Sequence, residues 1–369
     1  EINSTATNKV SITSNEVVYV GSEISKNVVE ITAAAGGTDL NAQMIGGAAA
    51  DDSLTLIADA STQKITAKGD LSGGETTLTL TGASSLAVID LSDLKNSTVA
   101  KIDLDGALRA NNTIEVEING SDAAETLSVT INSGAITAIT LSGDLGGGAN
   151  TYDITPNSNS AAIKTIDLSG LSATGGTLTG TITIDAAHVA VTTVRGSAGD
   201  DTVTFAQNTG DVTIDLGAGD DKFIGGVFVA GKQVTVTGGE GNDTFNLIAS
   251  KVTTVGTPEY TTITDFSAGD KITFAASVTT YGNVGTVTGS TLKDAIDKAL
   301  AVTNVAPSIT VADQATTVYG FTWNNDNYLF YNKAGTSPNA AATDVVVKLT
   351  GTTVDLDSLA VSTNDIVFA

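Results

Sequence analysis

The sequence predicts an all-β protein: a β-solenoid of the parallel β-roll kind, followed by a small C-terminal β domain with one short helix. Three observations predict it. The 369 residues are 41% hydrophobic, mostly Val, Ile, Leu and Ala accompanied by much Thr, which is the composition of strands. There are 39 Gly and only 4 Pro, so the turns are made chiefly by glycine. Short runs of alternating apolar residues also recur between turn signals that resemble one another, which favours a solenoid over a sandwich.

Residues 1–190 form the first predicted region, rich in strands and in degenerate repeats. Runs such as SLTLIA (53–58), TTLTLTG (76–82), TIEVEING (113–120), AITAITLSG (135–143) and GTITIDAA (180–187) each bury one face, because alternate side chains point to opposite sides of a strand. Residues 191–275 form the second region, a roll. Here GSAGDDTVT (196–204), LGAGDDKFI (216–224) and GGEGNDTFN (238–246) align without gaps. All three carry Gly at position four, Asp at six and an apolar residue at eight. The third fits the pattern G-G-x-G-x-D-x-U-x throughout. The sixth-position residues Asp201, Asp221 and Asp243 stand 20 and 22 residues apart, and a further 22 reaches Asp265 in ITDFSAGDKITF (263–274). Eroded copies lie upstream: GAAADDSLT keeps Asp52, GSDAAETLS has Glu125 and LGGGANTYD has Asn150 at that place.

Residues 276–369 form the third region. TLKDAIDKAL (291–300) puts Leu292, Ile296 and Leu300 on one helical stripe, with Lys293–Asp297 and Asp294–Lys298 at i,i+4 and Thr291 with Asp294 as a capping box. Residues 317–331 read as a hairpin around Asn324–Asn327. Apolar runs continue through DVVVKLTG (344–351) to DIVFA (365–369).

The recurring Gly/Asp turn suits one ligand above others. Calcium takes six to eight oxygens from carboxylates and backbone carbonyls, and glycine allows a turn to swing its carbonyls inward. A spacing of 20–22 residues, taken as two coils of nine to eleven, stacks the Asp-bearing turns on one edge about 4.8 Å apart. Two carboxylates at that distance repel by roughly 3.5 kcal/mol at an effective dielectric near 20 and by about 1 in water, so the column calls for a cation. The net charge of −24, from 17 Lys and Arg against 41 Asp and Glu, speaks for cations or solubility and against nucleic acid or anionic membranes.

Against this background the 196–246 segment resembles the RTX (repeats-in-toxin) calcium β-roll. ITDFSAGDKITF is similar to the I-x-D-F-x-x-G-D-x-I segment that closes such rolls. The helix, the aromatic pair around FTWNNDNYLFY, the D-x-V-x-K-L-T-G run and the apolar end resemble the C-terminus of RTX surface-layer (S-layer) proteins of the Caulobacter and Campylobacter type. The resemblance implies calcium ligands at Asp201, Asp221, Asp243 and Asp265, with carbonyls from Gly196, Gly199, Gly217, Gly219, Gly239 and Gly241. Leu216 departs from the pattern at a first-glycine position. The resemblance also implies type I secretion by an uncleaved C-terminal signal, calcium-dependent folding outside the cell, and self-association into a two-dimensional lattice. Contact with a cell-surface polysaccharide would fall to a part preceding Glu1.

Catalysis finds little support in the residues. The one histidine, His188, excludes an H-E-x-x-H zinc site, and no G-x-S-x-G elbow occurs. His188 lies in the apolar context DAAHVAV and reads as structural. The pairs Asp51–Asp52 and Asp103–Asp105 lack an aromatic platform for a glycosidase. Trp323 and the tyrosines near it read as core rather than as a sugar platform. The irregular spacing of the T-x-T runs speaks against an ice-binding surface. Cysteine is absent, which leaves bound metal as an available staple. No apolar stretch nears the roughly 18 residues of a membrane span, so a soluble chain is expected. The start at Glu1 suggests a fragment, a processed form, or export by a signal elsewhere. The leading expectation is the lattice-forming part of an S-layer protein. The alternatives are the calcium-stabilised stalk of a secreted adhesin and the export tail of an enzyme.

Overall fold

The computed structural model describes residues 8–20, 27–45, 53–70, 75–79, 88–95, 99–105, 112–118, 126–132, 136–156, 162–185, 188, 190–207, 210–227, 231–247, 260–274, 278–301, 316–331, 344–350 and 354–368. Over the described residues the protein is an all-β solenoid with one α-helix. It divides into two compact units, Glu1–Thr183 with Arg195–Asp200, and Ile184–Val194 with Asp201–Ala369.

In the first unit consecutive strands alternate between two sheets. One sheet holds, in order, Asn8–Thr13, Asn27–Thr32, Ser53–Ile57, Glu75–Thr79, Val99–Asp105, Thr126–Asn132, Ala149–Pro156 and Thr177–Ile184. The other holds Glu16–Val20, Asp39–Ile45, Lys64–Asp70, Val88–Lys95, Asn112–Ile118, Ile136–Asp144 and Thr165–Ser172. Neighbours pair in parallel, as in Val29↔Leu54 and Ile139↔Ile166. Strict alternation decides which side chains face the core. Ala149–Pro156 and Thr177–Ile184 alternate exposed and buried at every position, so Tyr152, Ile154, Leu178 and Ile182 point inward while Thr151, Asp153, Thr179 and Thr181 point out.

The second unit continues the same rule. Asp200–Gln207, Lys222–Val227, Thr244–Leu247 and Lys271–Phe274 stack in parallel in one sheet, with Val203↔Phe223, Phe223↔Phe245 and Phe245↔Ile272 in register. Val212–Ala218, Val234–Glu240 and Thr261–Ile263 stack in the other. One circuit takes 20 residues from Thr202 to its partner Lys222 and 22 from Lys222 to Thr244. That is twice the expected nine to eleven, because a circuit contains two strands and two turns and only one of its turns carries the Asp. The stacking on one edge is as expected.

The C-terminal part departs from parallel order. Val345–Leu349 adds in parallel to Thr261–Ile263, and Asp326–Tyr331 and Thr317–Trp323 then follow antiparallel. The hairpin turn is tighter than expected: Trp323 pairs with Asp326, so only Asn324 and Asn325 form it, at φ 51° and 65°. Two left-handed residues give the type I′ geometry that matches strand twist. Thr363 and Asn364, at φ 51° and 75°, repeat the device between Leu359–Ser362 and Asp365–Phe368.

The helix runs Leu292–Ala301, one residue along from the expectation, and buries Leu292, Ala295, Ile296, Ala299 and Leu300. The Thr291 hydroxyl accepts from the Asp294 N–H at 3.1 Å, while the Asp294 carboxylate reaches back to the N–H of Ser290 at 2.9 Å rather than to that of Thr291. Lys293–Asp297 and Lys298–Asp294 close at 2.7 and 3.2 Å. The buried stripe packs with Tyr319, Phe321, Tyr328 and Phe330, and half-buried Trp323 joins the edge of this core, its indole N–H donating to the Gly289 carbonyl at 3.1 Å. Among the described residues no helix is long and apolar enough to cross a membrane.

Candidate metal centre

The register of the second unit builds a column of carboxylates. Thr202, Lys222, Thr244 and Lys271 are mutual partners on neighbouring strands, so the residues preceding them, Asp201, Asp221, Asp243 and Asp270, fall at one level. Their exposures are 1%, 1%, 1% and 3%, so four acidic side chains are withdrawn from water along a single edge. The carboxylates of Asp221, Asp243 and Asp270 are each held by the coil before. The N–H of Asp201 donates to Asp221 Oδ1 at 2.7 Å, that of Asp221 to Asp243 Oδ1 at 3.0 Å, and that of Asp243 to Asp270 Oδ1 at 2.9 Å. At the end of the column Asp270 Oδ2 also accepts from the Ser267 N–H at 2.7 Å.

Three of the four members are those expected from the repeat. The fourth is Asp270, where Asp265 was expected. Ile263 pairs with Val236, and from either residue the column carboxylate lies seven positions on, at Asp270 and Asp243. The approach to the turn is therefore constant. Counting a further 22 residues fails because the spacing from Asp243 to Asp270 is 27, the extra length lying between Leu247 and Tyr260. The residues Gly269-Asp270-Lys271-Ile272 repeat the Asp-Asp-Lys-Phe and Asn-Asp-Thr-Phe of the preceding turns, and this was the available signal.

Asp265 is half-buried at the level of Gly238. Its two oxygens accept the N–H groups of Gly238 and Gly239 at 2.9 and 2.8 Å, so it caps the turn below. Leu216 occupies the same level two coils earlier and is fully buried, a core residue where the repeat has glycine.

The glycines of the turns divide into two groups. Gly217, Gly219, Gly239 and Gly241 have φ of 112°, 130°, 106° and 133°, a region that side-chain-bearing residues avoid. A Cβ on Gly239 would strike the Gly217 carbonyl oxygen, and one on Gly241 the Gly219 carbonyl oxygen. The carbonyls of one turn thus lie directly against the backbone of the next. Gly196 and Gly199 are buried, and the Gly199 N–H donates to the Ser197 hydroxyl at 3.1 Å. A Cβ on Gly238 would meet Asp243 Oδ2, so the carboxylate lies against its own turn.

Charge accumulates in this column. Burial, followed by the charges of Asp270, Asp265 and Asp220, raises the Asp243 carboxyl to a pKa of about 6, against the opposing hydrogen bond from the Asp221 N–H. Asp270 is likewise raised, chiefly by burial. Asp220, on the exposed flank, is lowered by the N–H and side-chain amide of Asn242, at 2.8 and 3.1 Å. The donor set is oxygen only, carboxylates and glycine carbonyls, which is the chemistry of a hard divalent cation such as calcium. Among the described residues no three His, Cys, Asp or Glu side chains converge on one point, so a cation here would draw on carbonyls as much as on carboxylates.

Of the upstream positions, Asp51, Asp52 and Glu125 lie outside the described residues. Asn150 is buried at 1% and donates its side-chain amide to the carbonyls of Gly146 and Gly148. Asp103 and Asp105 belong to the strand Val99–Asp105. His188 is fully buried in a turn, with Nδ1 2.7 Å from the Asp185 carboxylate. No protein-family model matches the chain, and no curated protein matches it.

Proposed function

We propose that the chain is a structural, calcium-binding protein of the bacterial cell surface, the lattice-forming part of an S-layer protein, exported by type I secretion and folded outside the cell with calcium. The observation that carries the reading is the column of four buried carboxylates, Asp201, Asp221, Asp243 and Asp270, stacked in register beside glycine carbonyls. Such a column is costly without positive charge between its members. Calcium is to be held by these carboxylates together with carbonyls of the glycine turns Gly217, Gly219, Gly239 and Gly241. When bound, the ion supplies the charge that lets the coils close, so binding free energy becomes folding free energy. Affinities are those of extracellular modules, roughly 10⁻⁴–10⁻³ M.

The remaining features suit a scaffold. Outward-facing Thr rows such as Thr151 beside Thr179 offer many small polar contacts, as a coat of identical subunits requires. Partial neutralisation of the −24 charge removes short-range repulsion between copies. The test is calcium titration by calorimetry, followed by electron microscopy at millimolar calcium. Calcium heat with sheets or regular arrays supports the reading. Calcium heat with persistent monomers assigns the chain to an adhesin stalk, and no heat with no change in melting temperature ends the calcium assignment.

A further inference from the structure

The turn Leu145–Asn150 is built on the same plan as Leu216–Asp221 but is completed by different chemistry. Leu145 and Leu216 are both fully buried, Gly146 and Gly217 both have positive φ, at 76° and 112°, and Tyr152 and Phe223 both enter the core two residues past the sixth position. The sixth residue is Asp221 in one turn and Asn150 in the other. A carboxylate only accepts, so Asp221 cannot bind the carbonyls of its own turn without a cation between them. An amide donates. Asn150 Nδ2 donates to the Gly146 carbonyl at 3.2 Å and, at a longer 3.4 Å, to that of Gly148.

These two carbonyls converge. A Cβ on Gly176, in the next coil, would strike both Gly148 O and Gly146 O. The turn is closed from its other side by Asp144, whose Oδ1 accepts the N–H of Gly146 at 2.9 Å and that of Thr174, one coil on, at 2.7 Å. A hydrogen bond from the Thr174 side chain, followed by these two N–H bonds, holds the Asp144 carboxyl below the usual carboxylate range. The position paired with Asn150 on the next strand is Leu178, which is buried and apolar, so no carboxylate faces Asn150 from the following coil; Glu125, on the coil before, lies outside the described residues.

We infer that the Asn150 amide stands where a cation stands in the Asp-bearing turns, so that this coil closes without metal, and that exchanging it for a carboxylate opens a divalent-cation site between Gly146 and Gly148. The inference rests on the calcium reading of the Asp turns and deepens it, because it divides the chain into coils that require calcium and a coil that carries its own substitute.

Hydrogen exchange read by mass spectrometry tests it on the full chain, in millimolar calcium and after calcium is stripped. In the native sequence the segment 149–156 keeps the same protection in both conditions, while 201–207, 222–227 and 244–247 lose at least tenfold on stripping. In Asn150→Asp, 149–156 becomes calcium-sensitive by about tenfold or more. Adding Leu178→Asp supplies a second carboxylate and tightens the response to lower calcium. If 149–156 of the native chain loses protection as strongly as the Asp-bearing strands, this inference falls while the calcium reading stands. If no segment responds, the calcium reading falls and takes this inference with it. Should Asn150→Asp fold and 149–156 stay indifferent to calcium, the amide does not occupy a cation position. Should Asn150→Asp fail to fold, the native comparison alone decides.

Discussion

Asp221 and Asp243 are joined head to tail: the backbone N–H of Asp221 donates to Asp243 Oδ1 at 3.0 Å, and Asp221 in turn accepts from Asp201 at 2.7 Å. The interior carboxylates Asp221 and Asp243 therefore each have a peptide dipole from one neighbouring coil and a like charge beyond them. The dipole holds the geometry, and the charge is left for a cation to balance.

Asp221→Ala and Asp243→Ala, in the interior of the column, should each remove about two bound calcium ions, since an interior carboxylate faces a turn on either side. Asp201→Ala and Asp270→Ala, at its ends, should each remove about one. Equilibrium dialysis with radioactive calcium measures the count. Equal losses from all four variants would contradict ions shared between neighbouring turns.

Asp265→Ala should leave the calcium count unchanged while lowering stability by about 2 kcal/mol, because two N–H groups lose their acceptor. Chemical denaturation in saturating calcium gives the stability and dialysis gives the count. A lost ion would make Asp265 a ligand as well as a cap.

Acid should stabilise the calcium-free second unit. The Asp243 pKa of about 6 in the fold lies above its ordinary 3.8, so the folded state binds a proton more tightly than the unfolded chain does. The stabilisation is complete below about pH 4 and is lost as pH rises through 6. In saturating calcium the order reverses, because the ion competes with the proton for the same oxygens. Melting curves at pH 5, 6 and 7 for stripped and calcium-loaded protein measure both trends, and parallel trends would count against a cation at this column.

Gly239→Ala should cost about 2 kcal/mol or more, since the left-handed conformation alone costs a non-glycine residue about 1 kcal/mol and the new methyl strikes the Gly217 carbonyl. Gly210→Ala is the control. A Cβ there meets nothing within 4 Å, and the change should stay within about 0.5 kcal/mol. Thermal unfolding of the two variants in calcium compares them.

The sequence made the solenoid legible because period-2 alternation and in-register turns are local signals. Thr177–Ile184 could hardly be anything but a half-buried strand. Asp201, Asp221 and Asp243 were legible for the same reason, since their turns keep a fixed offset from the strands on both sides. Asp270 was hidden by the longer connection between Leu247 and Tyr260, which breaks the count without breaking the register. The antiparallel C-terminal order was not legible either. Val345–Leu349 and Asp365–Phe368 find partners far away in the chain, and no local pattern encodes which sheet an apolar run will join.

The strand Asp365–Phe368 lies antiparallel on Lys271–Phe274, and the Thr273 hydroxyl donates to the Asp365 carboxylate across 92 residues. Phe368 stacks on Phe266 at 5.3 Å. Earlier coils of this unit close over 20 or 22 residues. Closing 92 rather than 22 adds about 1.3 kcal/mol of loop entropy, and it also imposes an order in time. Once calcium is present, the coils of Asp201 and Asp221 need only partners 20 and 22 residues away and can wind first. The coil of Asp270 has to wait until Phe368 has arrived. The column is therefore finished last at its Asp270 end, and until Asp365–Phe368 docks the strand Lys271–Phe274 keeps an open edge, ready to pair with whatever strand it meets.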